Sequence, residues 1–287
     1  MTDRDTAFGI WLVDKPAGPT SHDVVAAIRK NLGRSVRVGH AGTLDPFATG
    51  LLLVLVGQAT RLVQFLTPLD KGYRARIRLG ATSQTGDPEG PVTPTGDAIP
   101  DRARIADAVS ALPGTHRQQV PALAAVKVDG EPLYRRTRRG ETVERPERDI
   151  TITTARLVGD DLGAGWIDLE VTCSKGTYIR QLATDLGAEL GCGAYCQELR
   201  RLSVGALRVE DAVSPAAVRR HGGIDPRVAL APMDEQILDD QAVRDVGHGR
   251  PIVGDADGPV MFVGRTGLVA IGHARGDGQL WPKVVLR

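Results

Sequence analysis

From Tyr73 to Leu79 the chain alternates, with Tyr73, Ala75, Ile77 and Leu79 on one side and Arg74, Arg76 and Arg78 on the other. That two-residue period predicts a strand with one buried face. Ile167, Leu169, Val171 and Cys173 repeat it and predict a second strand over 167–174. Leu51 to Val56 is apolar throughout, as in a strand buried on both faces, and residues 10–13 predict a short opening strand. Val24, Val25, Ile28 and Leu32 recur at helical spacing, so a helix is expected from Ser21, a suitable N-cap, to Leu32 before Gly33. Ile179, Leu182, Ala183, Leu186 and Leu190 predict another helix over about 178–190. A short helix near 105–112 is expected to stop at Pro113-Gly114, and residues 83–101, dense in Gly, Pro, Thr and Asp, read as a long loop.

The pattern changes after about residue 220. Pro226, Pro232, Pro251 and Pro259 punctuate short segments, and residues 261–264, 268–274 and 280–286 predict three short strands joined by turns. The expected organisation is therefore an α/β (α+β) unit over 1–225 and a small β-rich unit over 226–287.

Composition narrows the function classes less than the pattern does. The 287 residues carry a net charge of +1, with 41% apolar and 25% charged positions, as in an ordinary soluble globular protein. Any nucleic-acid surface must then come from local clustering rather than overall charge. No apolar run approaches the roughly 20 residues that span a membrane. The acidic start Met1-Thr2-Asp3-Arg4-Asp5 is unlike a signal peptide, so a cytoplasmic protein is expected. Cys173, Cys192 and Cys196 are an odd, sparse set without zinc spacing and read as reduced, buried structural thiols.

The candidate chemistry lies in Gly39-His40-Ala41-Gly42-Thr43-Leu44-Asp45-Pro46-Phe47-Ala48-Thr49-Gly50. Pro46 keeps Asp45 extended, while Gly42 and Gly50 allow tight turns, so the loop presents one carboxylate at a fixed angle. A lone Asp-Pro pair is also an ordinary turn-capping arrangement. Other segments accompany it: Lys15-Pro16-Ala17-Gly18-Pro19-Thr20-Ser21, Lys71-Gly72-Tyr73, Thr85-Gly86-Asp87-Pro88-Glu89-Gly90, Lys175-Gly176-Thr177-Tyr178-Ile179-Arg180, and Gly191-Cys192-Gly193-Ala194 followed by Leu199-Arg200-Arg201. In this order, over about residues 10–205, they resemble the TruB-type tRNA pseudouridine synthases.

The resemblance implies a mixed, largely antiparallel sheet with flanking helices and a C-terminal domain similar to a PUA-type barrel. It implies isomerisation of uridine to pseudouridine at position 55 in the tRNA T-loop, with no cofactor and no metal. The base would be flipped from its stack, and Asp45 would attack either the uracil ring or ribose C1′. Arg180 would orient Asp45 through a two-point guanidinium pair, although its place off the apolar stripe also fits an exposed helix residue. Tyr73 would stack on uracil and offer its hydroxyl, or else serve as a core aromatic. His40, Tyr178 and Leu199 would hold the nucleotide, and Asp87 would stand behind Arg180. Phosphate contacts would come from Arg29, Lys30, Arg34 and Arg37, and from Arg135, Arg136, Arg138 and Arg139. Departures from the family pattern are Ala41, Phe47, Tyr195 and Leu123-Ala124-Ala125. The expected partner is tRNA alone, bound by a monomer without an obligate protein partner. An RNA-guided pseudouridine synthase and a non-catalytic RNA-binding protein are the rival readings.

Overall fold

The computed structural model describes residues 7–286 except 122–125, 129, 134, 135, 137, 138, 140 and 142, and only the backbone of 127, 128 and 132. Arg135, Arg138 and Leu123-Ala124-Ala125 therefore lie outside the described residues.

A ten-stranded sheet organises the larger part of the chain. Its main path runs His221–Gly223, Phe8–Lys15, Thr49–Gly57, Ala194–Val204, Lys71–Leu79, Trp166–Cys173, Glu147–Asp161, Gly114–Gln119. Along that path two joints are parallel, His221–Gly223 with Phe8–Lys15 and Thr49–Gly57 with Ala194–Val204, and the rest are antiparallel. The sheet is thus mixed and largely antiparallel, as expected.

The Tyr73 strand is central, and its alternation is realised. Ala75, Ile77 and Leu79 are buried with Ile167, Leu169 and Val171 beneath the helices Arg102–Ser110 and Ile179–Leu190. On the opposite face Arg74 pairs with Glu170 and Arg76 with Asp168 at 2.9 Å. The Thr49–Gly57 strand is covered on both faces. Leu52, Val54 and Val56 pack on helix Ser21–Leu32, while Leu51, Leu53 and Leu55 join a second core. Cys173, Cys192 and Cys196 are free and buried, as expected.

Three expectations need correction. The first helix is capped by Thr20, whose hydroxyl accepts from Asp23 N–H while the Asp23 carboxylate accepts from Thr20 N–H. Ser21 is instead turned inward and buried. The 83–101 loop contains part of a hairpin, Ala81–Ser83 with Val92–Pro94. The short helix spans Arg102–Ser110, starting earlier than expected because Asp101 caps it.

The C-terminal region forms a five-stranded sheet, Asp234–Ile237, Pro259–Gly264, Gly267–Ala274, Gln279–Val285 and Ile252–Val253, with helix Asp240–Gly247. The three expected strands are there, with two short ones added at the edges. Met261, Val263, Ile271 and Val284 share one core with Leu55, Leu62, Leu66 and Leu207 of the large unit. Among the described residues no helix is long and apolar enough to cross a membrane.

Candidate active site

The loop between the strands Val38–Ala41 and Thr49–Gly57 carries Asp45, and buried polar groups fix it at several points. The Ser21 hydroxyl accepts from Leu44 N–H at 2.8 Å and donates to Leu44 C=O at 3.0 Å. Lys15, fully buried, donates through Nζ to the carbonyls of Pro46 at 3.1 Å and Ala48 at 2.7 Å. Arg201, 1% exposed, donates to the carbonyls of Leu51 at 2.7 Å, Gly42 at 3.0 Å and Thr43 at 3.3 Å. Two buried cations therefore grip the loop on either side of Asp45. Their charge is spread over carbonyl dipoles, which is how a buried ammonium or guanidinium without a carboxylate partner is tolerated. Burial still lowers the Lys15 pKa, with the Asp45 charge opposing it.

Asp45 faces a cavity of about 400 Å³. Its side chain is 36% exposed, whereas that of its partner Arg180 is 5% exposed. Arg180 Nε lies 2.9 Å from Asp45 Oδ2, and Nη2 donates to Oδ1 at 3.5 Å. On its far side Nη1 donates to Asp87 Oδ2 at 2.9 Å and to the Thr85 carbonyl at 3.0 Å. Asp87 is 2% exposed, and it also accepts from the Thr85 hydroxyl and Glu89 N–H. A buried guanidinium thus bridges an inner carboxylate and an outer one. The exposed-helix reading of Arg180 is excluded.

Tyr73, Tyr178 and Leu199 line the same cavity as Asp45 and Arg180. Burial raises the hydroxyl pKa of Tyr73, with the Arg201 charge pulling the other way. Burial likewise raises that of Tyr178, opposed by Arg148. Leu199 stands opposite Ala75 in register. Asp87 lies behind Arg180, outside the lining. His40 also lies outside it, on the strand Val38–Ala41 opposite Val54. Among the described residues its Nδ1 is buried without a hydrogen-bond partner, and burial, then Arg201, holds its pKa below the usual histidine value.

Sequence reasoning missed three of the cations at this site. Lys71 lines the cavity and donates to the carbonyls of Thr67, at 2.6 Å, and Leu69; burial brings its pKa down to about 8. Lys15, Lys71 and Arg201 stood in the motifs, but long cationic side chains are ordinarily solvated. The available signal was their phase: each continues an inward-facing strand register, Lys15 after Val13 and Arg201 after Leu199. Of the expected phosphate-binding groups, Lys30, Arg34 and Arg37 are exposed, while Arg29 donates to the Val38 carbonyl at 2.8 Å. Arg136 pairs with Glu141, and Arg139 with Glu131 and Glu141.

Comparison with known proteins places the chain in a lineage. Curated relatives called tRNA pseudouridine synthase B include that of Thermobifida fusca, 42% identical over 97% of this chain and 98% of its own. That of Cupriavidus taiwanensis is 44% identical over 80% of this chain and 73% of its own. Among solved structures, an H/ACA RNP bound to a substrate RNA containing 2′-deoxyuridine shares the fold, with a TM-score of 0.72 at 23% identity over 98% of this chain and 85% of that one. A Cbf5-Nop10-Gar1 complex gives 0.71 at 25% identity over 99% and 86%. Residues 180–237 match the family model for the tRNA pseudouridylate synthase B C-terminal domain. Residues 29–179 match that for the N-terminal domain of TruB family pseudouridylate synthases, and the chain belongs to that family.

Proposed function

We propose that this protein converts uridine to pseudouridine at position 55 in the T-loop of tRNA, with Asp45 as the nucleophile. The observation that carries the reading is a half-exposed carboxylate at a nucleoside-sized cavity, aligned by a buried arginine at 2.9 Å. In the reaction the N1–C1′ bond breaks and a C5–C1′ bond forms. The hydrogen at C5 leaves as a proton and N1 gains one, so electrons balance without a redox partner. Asp45 attacks ring or sugar and leaves again, a cycle suited to an ionised carboxylate. Because burial raises the Tyr73 pKa, its hydroxyl is protonated at neutral pH; it serves as a stacking surface and hydrogen-bond donor rather than a phenolate base.

Arg180 orients Asp45, and Asp87 orients Arg180 from behind. Tyr178 and Leu199 wall the flipped base. His40, on the strand that leads into the Asp45 loop and with its pKa lowered by burial, contacts the RNA around the vacated position. Residues 1–225 form the catalytic unit and 226–287 the β-rich one; the protein acts on bare tRNA as a cytoplasmic monomer. The test is tritium release from tRNA labelled at uracil C5, since C–C bond formation there expels that hydrogen. Asp45→Asn is expected to abolish release while retaining RNA binding. Release that requires an added guide RNA would transfer the protein to the RNA-guided reading.

A further inference from the structure

Gln118 is a polar side chain enclosed in the interior, 3% exposed, on the edge strand Gly114–Gln119. Its amide meets the Tyr178 backbone head-on. Oε1 accepts from Tyr178 N–H at 2.8 Å, and Nε2 donates to Tyr178 C=O at 3.0 Å. Tyr178 is the residue just before helix Ile179–Leu190, with an extended backbone and no side-chain cap of its own. Its carbonyl also accepts the first bond of that helix, from Leu182 N–H at 3.0 Å, so Tyr178 is held by the helix on one side and by Gln118 from outside it.

Directly opposite Gln118 in the antiparallel register is Arg148. Its guanidinium lies over the Tyr178 ring, 5.4 Å from the centroid. It also lies against the neighbouring turn, where a methyl on Gly176 would come within 3.0 Å of Nη1. Among the described residues no carboxylate pairs with Arg148, so its visible partner is the aromatic face. One cross-strand pair thus touches one tyrosine at two points, peptide and ring. Tyr178 lines the cavity, and two residues later the same helix presents Arg180 to Asp45.

We propose that Gln118 and Arg148 are positioning residues that together fix Tyr178, and through it the pocket wall and the start of the Arg180 helix. The inference rests on the reading of this cavity as the uridine site. Neither side chain touches the reacting atoms; both act by removing freedom from a residue that does.

The test uses the full chain and a T-arm stem-loop RNA tritiated at uracil C5, with single-turnover release and RNA affinity measured separately. Arg148→Leu is expected to slow release about tenfold, a loss of the size that small misplacements cause, with affinity unchanged. Arg148→Lys, which keeps a cation over the ring, should recover most of the rate. In a Tyr178→Leu background, Arg148→Leu should cause no further loss. A weakened affinity at unchanged rate would mark Arg148 as a phosphate contact and overturn the proposal, as would an undiminished loss in that background. Gln118→Asn withdraws the amide by one methylene and is expected to slow release likewise; a full rate in a folded Gln118→Asn protein overturns the pair. If that variant does not fold, the Arg148 arm decides. Asp45→Asn separates the two levels: release surviving there removes the site itself, whereas its loss beside a fully active Arg148→Leu removes the clamp alone.

Discussion

Arg180 stands between two carboxylates, and each side of it answers to a different measurement. Toward the cavity it holds Asp45, so Arg180→Lys, which keeps the charge and loses the planar fork, should reduce turnover by about a hundredfold. Toward the interior it neutralises Asp87, so Arg180→Met leaves a buried carboxylate uncompensated and should cost about 3–5 kcal/mol in urea unfolding. Arg180→Met combined with Asp87→Leu should regain part of that stability and none of the activity.

Lys71 gives a pH signature at the same scale. Its folded pKa of about 8 lies below the ordinary 10.5, because burial disfavours the ammonium. Between those values the unfolded chain holds a proton that the native one has released, so this group makes stability rise with pH across that window. Lys71→Met should therefore compare best with wild type below pH 8 and lose ground toward pH 10.5, by on the order of 2–3 kcal/mol. A flat difference in the unfolding free energies over that range would remove the buried charge from the account.

At the scale of elements the Asp45 loop is a span of irregular backbone held by side chains from elsewhere. Arg201→Leu withdraws donors from three carbonyls and should destabilise the chain by about 3 kcal/mol or more, with turnover lost well below the melting point. Gly50 has φ +99, and a methyl there would sit 2.3 Å from the Arg201 carbonyl oxygen, so Gly50→Ala must displace the joint between the two strands. These dependences explain what the sequence reveals and what it hides. The Tyr73 strand, the Ile179 helix and the Asp45 loop were legible because alternation, an apolar stripe and the Gly-Pro pattern are local signals. The fifteen-residue strand Glu147–Asp161 was not, since few of its side chains are buried and its alternation changes phase at the irregularity between Ile152 and Thr154. The Ala81–Ser83 hairpin was hidden by strands of three residues each. The cap moved from Ser21 to Thr20 because the inward hydroxyl is wanted by Leu44, a contact across 23 positions that no local rule contains. Lys15 and Arg201 were hidden for the same reason: apart from Pro16 beside Lys15, their acceptors are distant carbonyls.

At the scale of the molecule the two sheets share a core, and they should not melt independently. Met261 is 1% exposed in that shared cluster, and Met261→Ala should lower global stability by about 2–4 kcal/mol. Trp281 lies in the small sheet and Trp11 and Trp166 in the large one. With the latter two changed to Phe, Trp281 fluorescence should follow the same transition as the far-ultraviolet circular dichroism of the whole chain. Two separated transitions would mean that the shared cluster contributes little coupling.

The parallel joint between Thr49–Gly57 and Ala194–Val204 pairs Thr49 with Arg200 and Gly50 with Arg201, so the strand that leaves the Asp45 loop is completed by a segment about 150 positions downstream. A growing polypeptide therefore displays its acid long before the groups that aim and enclose it have been made. Ribosome-held chains stopped ahead of Ala194 should be inert toward RNA, and activity should switch on abruptly once the stretch through Arg201 clears the exit tunnel. On the proposed reading, the onset of activity during synthesis would be set by thread order rather than by the arrival of Asp45.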